Sequence, residues 1–277
     1  MHGITTQDEI LAKLHYLPAI PVVVQEVIAS FRNANLDSAV LARKIAQDQS
    51  LTAKVLRVAN SSFYGWPRKI GSIQDAVVVM GFDTLRSLVL SAGFVHIFPP
   101  ARGSSFDRHA YWKHSFRAAV YTKALAQCLR QDQQMAFTAG MFYEVGQLVL
   151  DVFIPEQFAH VLQQQKTSGL DLLVVEQAEL GFDHALIGAE MAKRWNFPAE
   201  IEHAIHYWRT PEHELLEPVT GMVHVAALLE SGLNGDDLIN HLPETLCSRL
   251  QITWERIEEC IPEPGELDAM TSLMLAT

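Results

Sequence analysis

Apolar side chains recur three and four positions apart along nearly the whole sequence, the spacing that lines one face of an α-helix. Val24, Val27, Ile28 and Phe31 follow Pro21, whose fixed φ suits the start of a helix. Leu36, Val40, Leu41 and Ile45 follow Asn35, and Leu51, Val55, Val58 and Ala59 follow Asp48; both polar residues are suitable N-caps. Ser72 is placed to cap a helix containing Ile73, Val77 and Met80, and Gly81 suits the left-handed residue that would end it. The Val77–Val79 triplet is strand-like in isolation, but its cap and glycine favour a short buried helix. An apolar helix then runs from Phe82 to about Phe98.

Pro99 to Ser105, with two prolines, a glycine and paired serines, breaks this pattern and marks an internal boundary. Beyond it the periodicity predicts a long helix over 106–130, then helices over 132–142, 146–153, 155–166 and 170–180. Asp183 can cap a helix to about Trp195, Pro198 opens one through His206, and another spans 216–229. Two shorter helices fit 243–250 and 254–260. The expected fold is therefore all-α: an N-terminal helical lobe over 1–103, a second helical bundle over 104–231 and a C-terminal helical extension over 232–277.

Composition narrows the function. With 277 residues, 49% hydrophobic and 19% charged, the chain can bury a large core. Its 21 basic against 32 acidic residues give a net charge of -11, which argues against nucleic acid and anionic membranes as general partners. Arg43, Lys44, Lys54, Arg57, Arg68 and Lys69 are concentrated near the start and are read as a solvated helical face, with a local anion or nucleic-acid site as the alternative. The three scattered cysteines, Cys128, Cys247 and Cys260, form no metal motif and suit a reducing, cytoplasmic setting. No apolar run is long enough for membrane insertion.

The run Ala139-Gly140-Met141-Phe142-Tyr143-Glu144-Val145-Gly146-Gln147-Leu148 resembles the ligand-bearing helix of the HD metallohydrolase superfamily, in which adjacent His and Asp bind metal. Tyr143 stands at the histidine, Glu144 at the aspartate and Gln147 at a lysine, while Gly146 and the apolar positions are kept. Further runs are similar to the HDOD family, HD-related output domains of bacterial signalling proteins: Leu17-Pro18-Ala19-Ile20-Pro21, Asp48-Gln49-Ser50-Leu51 and Arg57-Val58-Ala59-Asn60-Ser61-Ser62-Phe63-Tyr64-Gly65. Ile73-Gln74-Asp75-Ala76, Met80-Gly81, Trp112-Lys113-His114-Ser115, Gly181-Phe182-Asp183-His184 and Ala204-Ile205-His206 extend the resemblance over about residues 12–230. It implies an N-terminal helical bundle joined to an HD-like bundle, and regulation through interactions rather than hydrolysis.

Residue by residue, the resemblance puts His114 at the first metal-binding histidine and Ala227 at the distal aspartate. Tyr143, a neutral phenol at ordinary pH, and Ala227 each remove a ligand, while Glu144 keeps an oxygen with altered reach. A vestigial pocket of His114, Tyr143, Glu144, His184, His206 and Ala227 is expected, with no cofactor. A divalent metal held by His114, Glu144, His206 and His224 is the alternative. His203 lies one turn from His206, and Glu176 and Glu179 read as solvated helix residues. Tyr64 and Trp66, on the Gly65-Pro67 turn, and Tyr207 and Trp208 are candidate anchors for a protein partner, with core packing as their other reading. The expected function is a noncatalytic signalling or regulatory adaptor, with self-association open. A divergent metal-dependent phosphohydrolase acting on a nucleotide or phosphodiester is one alternative, and a nucleic-acid-binding regulator another.

Overall fold

The computed structural model describes residues 5–31, 38–60, 68–94, 97–98, 104–210, 217–262 and 267–268. The first lobe contains α1 (Gln7–Lys13), a 3-10 turn at Leu14–Tyr16, α2 (Val22–Ala29), α3 (Ser38–Gln47), α4 (Gln49–Ala59), α5 (Ile73–Met80) and α6 (Phe82–Phe94). The second contains α7 (Arg108–Cys128), α8 (Gln133–Phe142), α9 (Gly146–Phe153), α10 (Pro155–Ser168), α11 (Leu172–Leu180), α12 (His184–Arg194), α13 (Ala199–Tyr207) and α14 (Pro218–Glu230). The extension adds α15 (Gly235–His241), α16 (Glu244–Leu250) and α17 (Trp254–Glu258). No strand occurs among the described residues.

Local chemistry accounts for the helix starts. The Asp48 carboxylate accepts from the Leu51 N–H at 3.0 Å, Ser72 from Asp75 at 3.0 Å and Asp183 from Leu186 at 2.9 Å, each satisfying a donor that the first turn leaves open. Asn60 ties the exit of α4 to Ile70: its amide donates to the carbonyls of Leu56 and Ile70, both at 2.8 Å, and its oxygen accepts from the Ile70 N–H at 2.6 Å.

Several details depart from the periodicity. Gly81 has φ +80° but an extended ψ of 159°, because its carbonyl already accepts from Leu85 to start α6; it joins two helices without a left-handed cap. Ile97 and Phe98 lie in a turn rather than in α6, which is described over Phe82–Phe94. Val40, expected on the inner face, is exposed. Helices α1 and α15 lie outside the segments the periodicity predicts; α1 starts at a Thr6–Glu9 capping box, a signal legible in the sequence.

One apolar core runs through both lobes. The centre of the junction is Phe94, whose ring lies 4.4 Å from Phe142, 5.3 Å from Trp195 and 5.9 Å from Phe197. Buried Asp151 of α9 ties the junction electrostatically, accepting from Ser104 and from Arg108, which also donates to the Phe98 carbonyl. Helix α1 crosses over to pack on α12, so the first helix of the chain contributes to the second lobe.

Candidate functional site

Helices α7, α8 and α14 pack side by side, and α9 lies against α12. Glycines permit the close approaches. A Cβ on Gly140 would come within 2.9 Å of the Ala119 Cα on α7, and one on Gly146 would overlap the His184 carbonyl oxygen. The kept glycine of the altered motif thus presses the start of α9 onto the start of α12, and Tyr143 and Glu144 occupy the turn between α8 and α9.

His114, on α7, points into this turn. Its Nε2 is 2.5 Å from the Tyr143 hydroxyl and 3.2 Å from Glu144 Oε2. The Tyr143 hydroxyl also lies beside the Glu144 carboxylate. On its other side, His114 Nδ1 is 3.3 Å from Glu230, whose second oxygen accepts from Arg117 Nε at 2.7 Å. Arg117 also pairs with Asp268 of the extension at 2.7 Å.

Burial disfavours a charged His114, but Glu144 and Glu230 outweigh it and push its pKa up to about 10. Burial likewise works against ionised Glu144, and the positive charge of His114 overrides it, holding the carboxyl below its ordinary value. Burial and the neighbouring Glu144 carboxylate push the Tyr143 phenol well upward, so it stays a neutral donor. Its ring meets Trp208 edge-on at 4.8 Å and 87°.

His184 and Glu176 form a second, fully buried unit. Glu176 Oε2 accepts from the His184 backbone N–H at 2.8 Å and lies 2.7 Å from its Nδ1. Burial would lower the His184 pKa; Glu176, with Glu144 and Asp183, raises it. The solvated reading of Glu176 is therefore corrected: it is wholly buried because α11 turns it inward under α12. Glu179, on the exposed face of the same helix, is 3.5 Å from His160.

His224 turns its Nδ1 onto the Trp208 carbonyl at 2.9 Å, and burial takes its pKa down to about 4, leaving a neutral ring. His203 pairs with Glu217 at 3.3 Å. His206 stacks on Tyr207 at 4.3 Å and 10°, and both line a cleft with Val174, Gln177 and Arg209. Trp208, expected as a possible surface anchor, is only 6% exposed: its ring packs inward on Tyr143. Tyr64 and Trp66 lie outside the described residues.

These donors do not fit a divalent metal in the HD manner. Both nitrogens of His114 are engaged by carboxylates and a phenol, Tyr143 is held protonated, and position 227 carries a methyl group. Among the described residues, no group of three or more His, Cys, Asp or Glu side chains is arranged to hold a metal ion. Sequence reasoning did not single out Glu230 or Arg117. Their signal was spacing, because each lies one helical turn beyond an expected ligand position, Ala227 and His114 respectively.

The helical order defines an HD-like all-α domain, with the His114–Tyr143–Glu144 cluster at the turn between α8 and α9. The HDOD domain family matches residues 17–211, and the chain belongs to that family. A solved structure from Shewanella amazonensis SB2B, named as a candidate phosphohydrolase, is 26% identical, with a TM-score of 0.79 over 98% of this chain and 100% of that one. A candidate signal transduction protein from Marinobacter aquaeolei VT8 is 25% identical, with a TM-score of 0.81 over 98% of this chain and 62% of that one. An uncharacterized protein of Treponema pallidum (strain Nichols) is 23% identical over 244 residues, 87% of this chain. The chain spans only 47% of that relative's length.

Proposed function

We propose that this HDOD chain is a noncatalytic adaptor that binds a signalling or regulatory protein. The observation that carries the reading is the closure of His114. An imidazolium clamped between Glu144 and Glu230 fills with protein charge the place where an HD hydrolase needs open metal ligands. The signalling name given to the Marinobacter structure agrees with this reading, and the net charge of -11 keeps nucleic acid a poor partner. No helix among the described residues is long and apolar enough to cross a membrane.

The rival reading, a metal-dependent phosphohydrolase acting on a nucleotide or phosphodiester, draws on the name of the 26% identical Shewanella protein. One assay separates the two. Purified protein supplied with Mg²⁺, Mn²⁺ or Fe²⁺ and with nucleotide or cyclic-dinucleotide substrates is expected to give no turnover above metal alone. Reproducible turnover that disappears in both His114→Ala and Glu144→Ala would overturn the adaptor reading.

A further inference from the structure

Two of the three cysteines meet where the extension docks on the second lobe. Cys128 closes α7, and its thiol donates to the Arg256 carbonyl at 3.1 Å. Arg256 returns the contact, its Nη2 donating to the Cys128 carbonyl at 3.0 Å. Cys260 lies one turn beyond Arg256, which places its thiol beside that of Cys128. Both side chains are half-buried, so the pair is held together without being sealed from solvent. The short α17 buries Ile257 in the core, and the Asp268–Arg117 pair adds a second contact of the extension with α7.

We propose that Cys128 and Cys260 are a dithiol modification site that low-molecular-weight disulfides oxidise to an intramolecular disulfide, stapling the C-terminal extension to α7. The Cys128 thiolate attacks one sulfur of the small disulfide, forming a mixed disulfide and releasing one thiolate. Cys260 then gives up its proton and attacks the Cys128 sulfur of that mixed disulfide, releasing the second thiolate. The two cysteines lose two electrons, the co-reactant gains them, and the cysteine protons end on the two small thiols. Burial and the neighbouring Cys128 push the Cys260 thiol up to about 11, which makes it the resolving partner and makes closure faster as pH rises.

The test treats the full chain with oxidised glutathione at several pH values, quenches by acid and maps non-reduced peptides by mass spectrometry. The expected result is a Cys128–Cys260 linked peptide, monomeric on a non-reducing gel, with Cys247 left as a thiol or a glutathione adduct. Cys247→Ser should keep the link, whereas Cys128→Ser and Cys260→Ser should abolish it while melting like the reduced wild type. Closing so long a loop should raise the melting temperature by about 5–10 °C over the reduced protein. Separate glutathione adducts on Cys128 and Cys260 with no link between them, a link through Cys247, or a link between chains would each overturn the proposal. A Cys→Ser variant that melts well below the reduced wild type would be replaced by Cys→Ala, with the same linked peptide as the readout.

Discussion

Glu230 stands one helical turn beyond Ala227 and brings its carboxylate 3.3 Å from His114 Nδ1. The carboxylate nearest this turn of α14 is thus Glu230, and it engages the imidazole directly. Arg117, 2.7 Å from the same carboxylate, balances it, so charges of alternating sign run from Glu144 through His114 and Glu230 to Arg117. A network of this kind fixes α7 against α14 and against the turn that carries Tyr143 and Glu144.

Stability should follow the titration of His114. Its folded pKa of about 10 lies above the ordinary value of 6.5, so its contribution is complete below 6.5 and is lost as pH rises toward 10. Glu144 has the opposite sign: its folded pKa is depressed, so its contribution is present above the ordinary 4.5 and fades as pH falls. The groups facing His114 are Glu144, Tyr143 and Glu230, with Arg117 behind Glu230. Urea denaturation from pH 6 to pH 10 should show wild type losing stability steadily and His114→Gln losing much less. Parallel curves for the two proteins would remove His114 from the account.

The His184–Glu176 pair should behave as a structural strut that no solvent screens. Glu176→Gln keeps the size and one acceptor but removes the carboxylate partner of a buried histidine, and breaking such a pair costs about 3–5 kcal/mol. The loss should persist in 1 M salt, where the Debye length is about 3 Å and surface pairs are screened. A loss below about 0.5 kcal/mol would place the pair among weak surface contacts.

The sequence made the helices of the second lobe legible nearly to the residue, because Asp132, Asp183, Pro155 and Pro198 each mark a start by cap chemistry or a fixed φ. Helix α15 is hidden from the periodicity because Gly235-Asp236-Asp237 offers few apolar positions, with Leu238 alone fully buried there. The identities of the altered cluster were legible through the family motif, but its wiring was not. Glu176 and Glu230 are charged residues on helices with solvated faces, and only tertiary packing determines that one turns under α12 and the other onto α7. The direction of Trp208 was equally hidden: at the end of α13 a ring can face either way, and contact with Tyr143 decides it.

That packing separates two kinds of aromatic substitution and so tests where a partner binds. Trp208→Ala removes a buried ring that meets Tyr143 edge-on and adjoins the His224 hydrogen bond, so it should cost about 3–5 kcal/mol of stability. Any loss of partner capture by that variant would then follow unfolding. Tyr16 is 81% exposed and Val22 is 70% exposed, both at the entrance to α2, and replacing them should alter stability by no more than about 0.5 kcal/mol each. Exposed apolar residues of this kind are the ones an adaptor would bury on binding, where one aromatic anchor is worth about 2 kcal/mol or more, roughly thirtyfold in affinity. Affinity capture with wild type, Tyr16→Ala and a Tyr16→Ala, Val22→Ser double variant should show a stepwise loss of the same partner at unchanged melting temperature. Full capture by the folded double variant would move the interface away from this end of the first lobe.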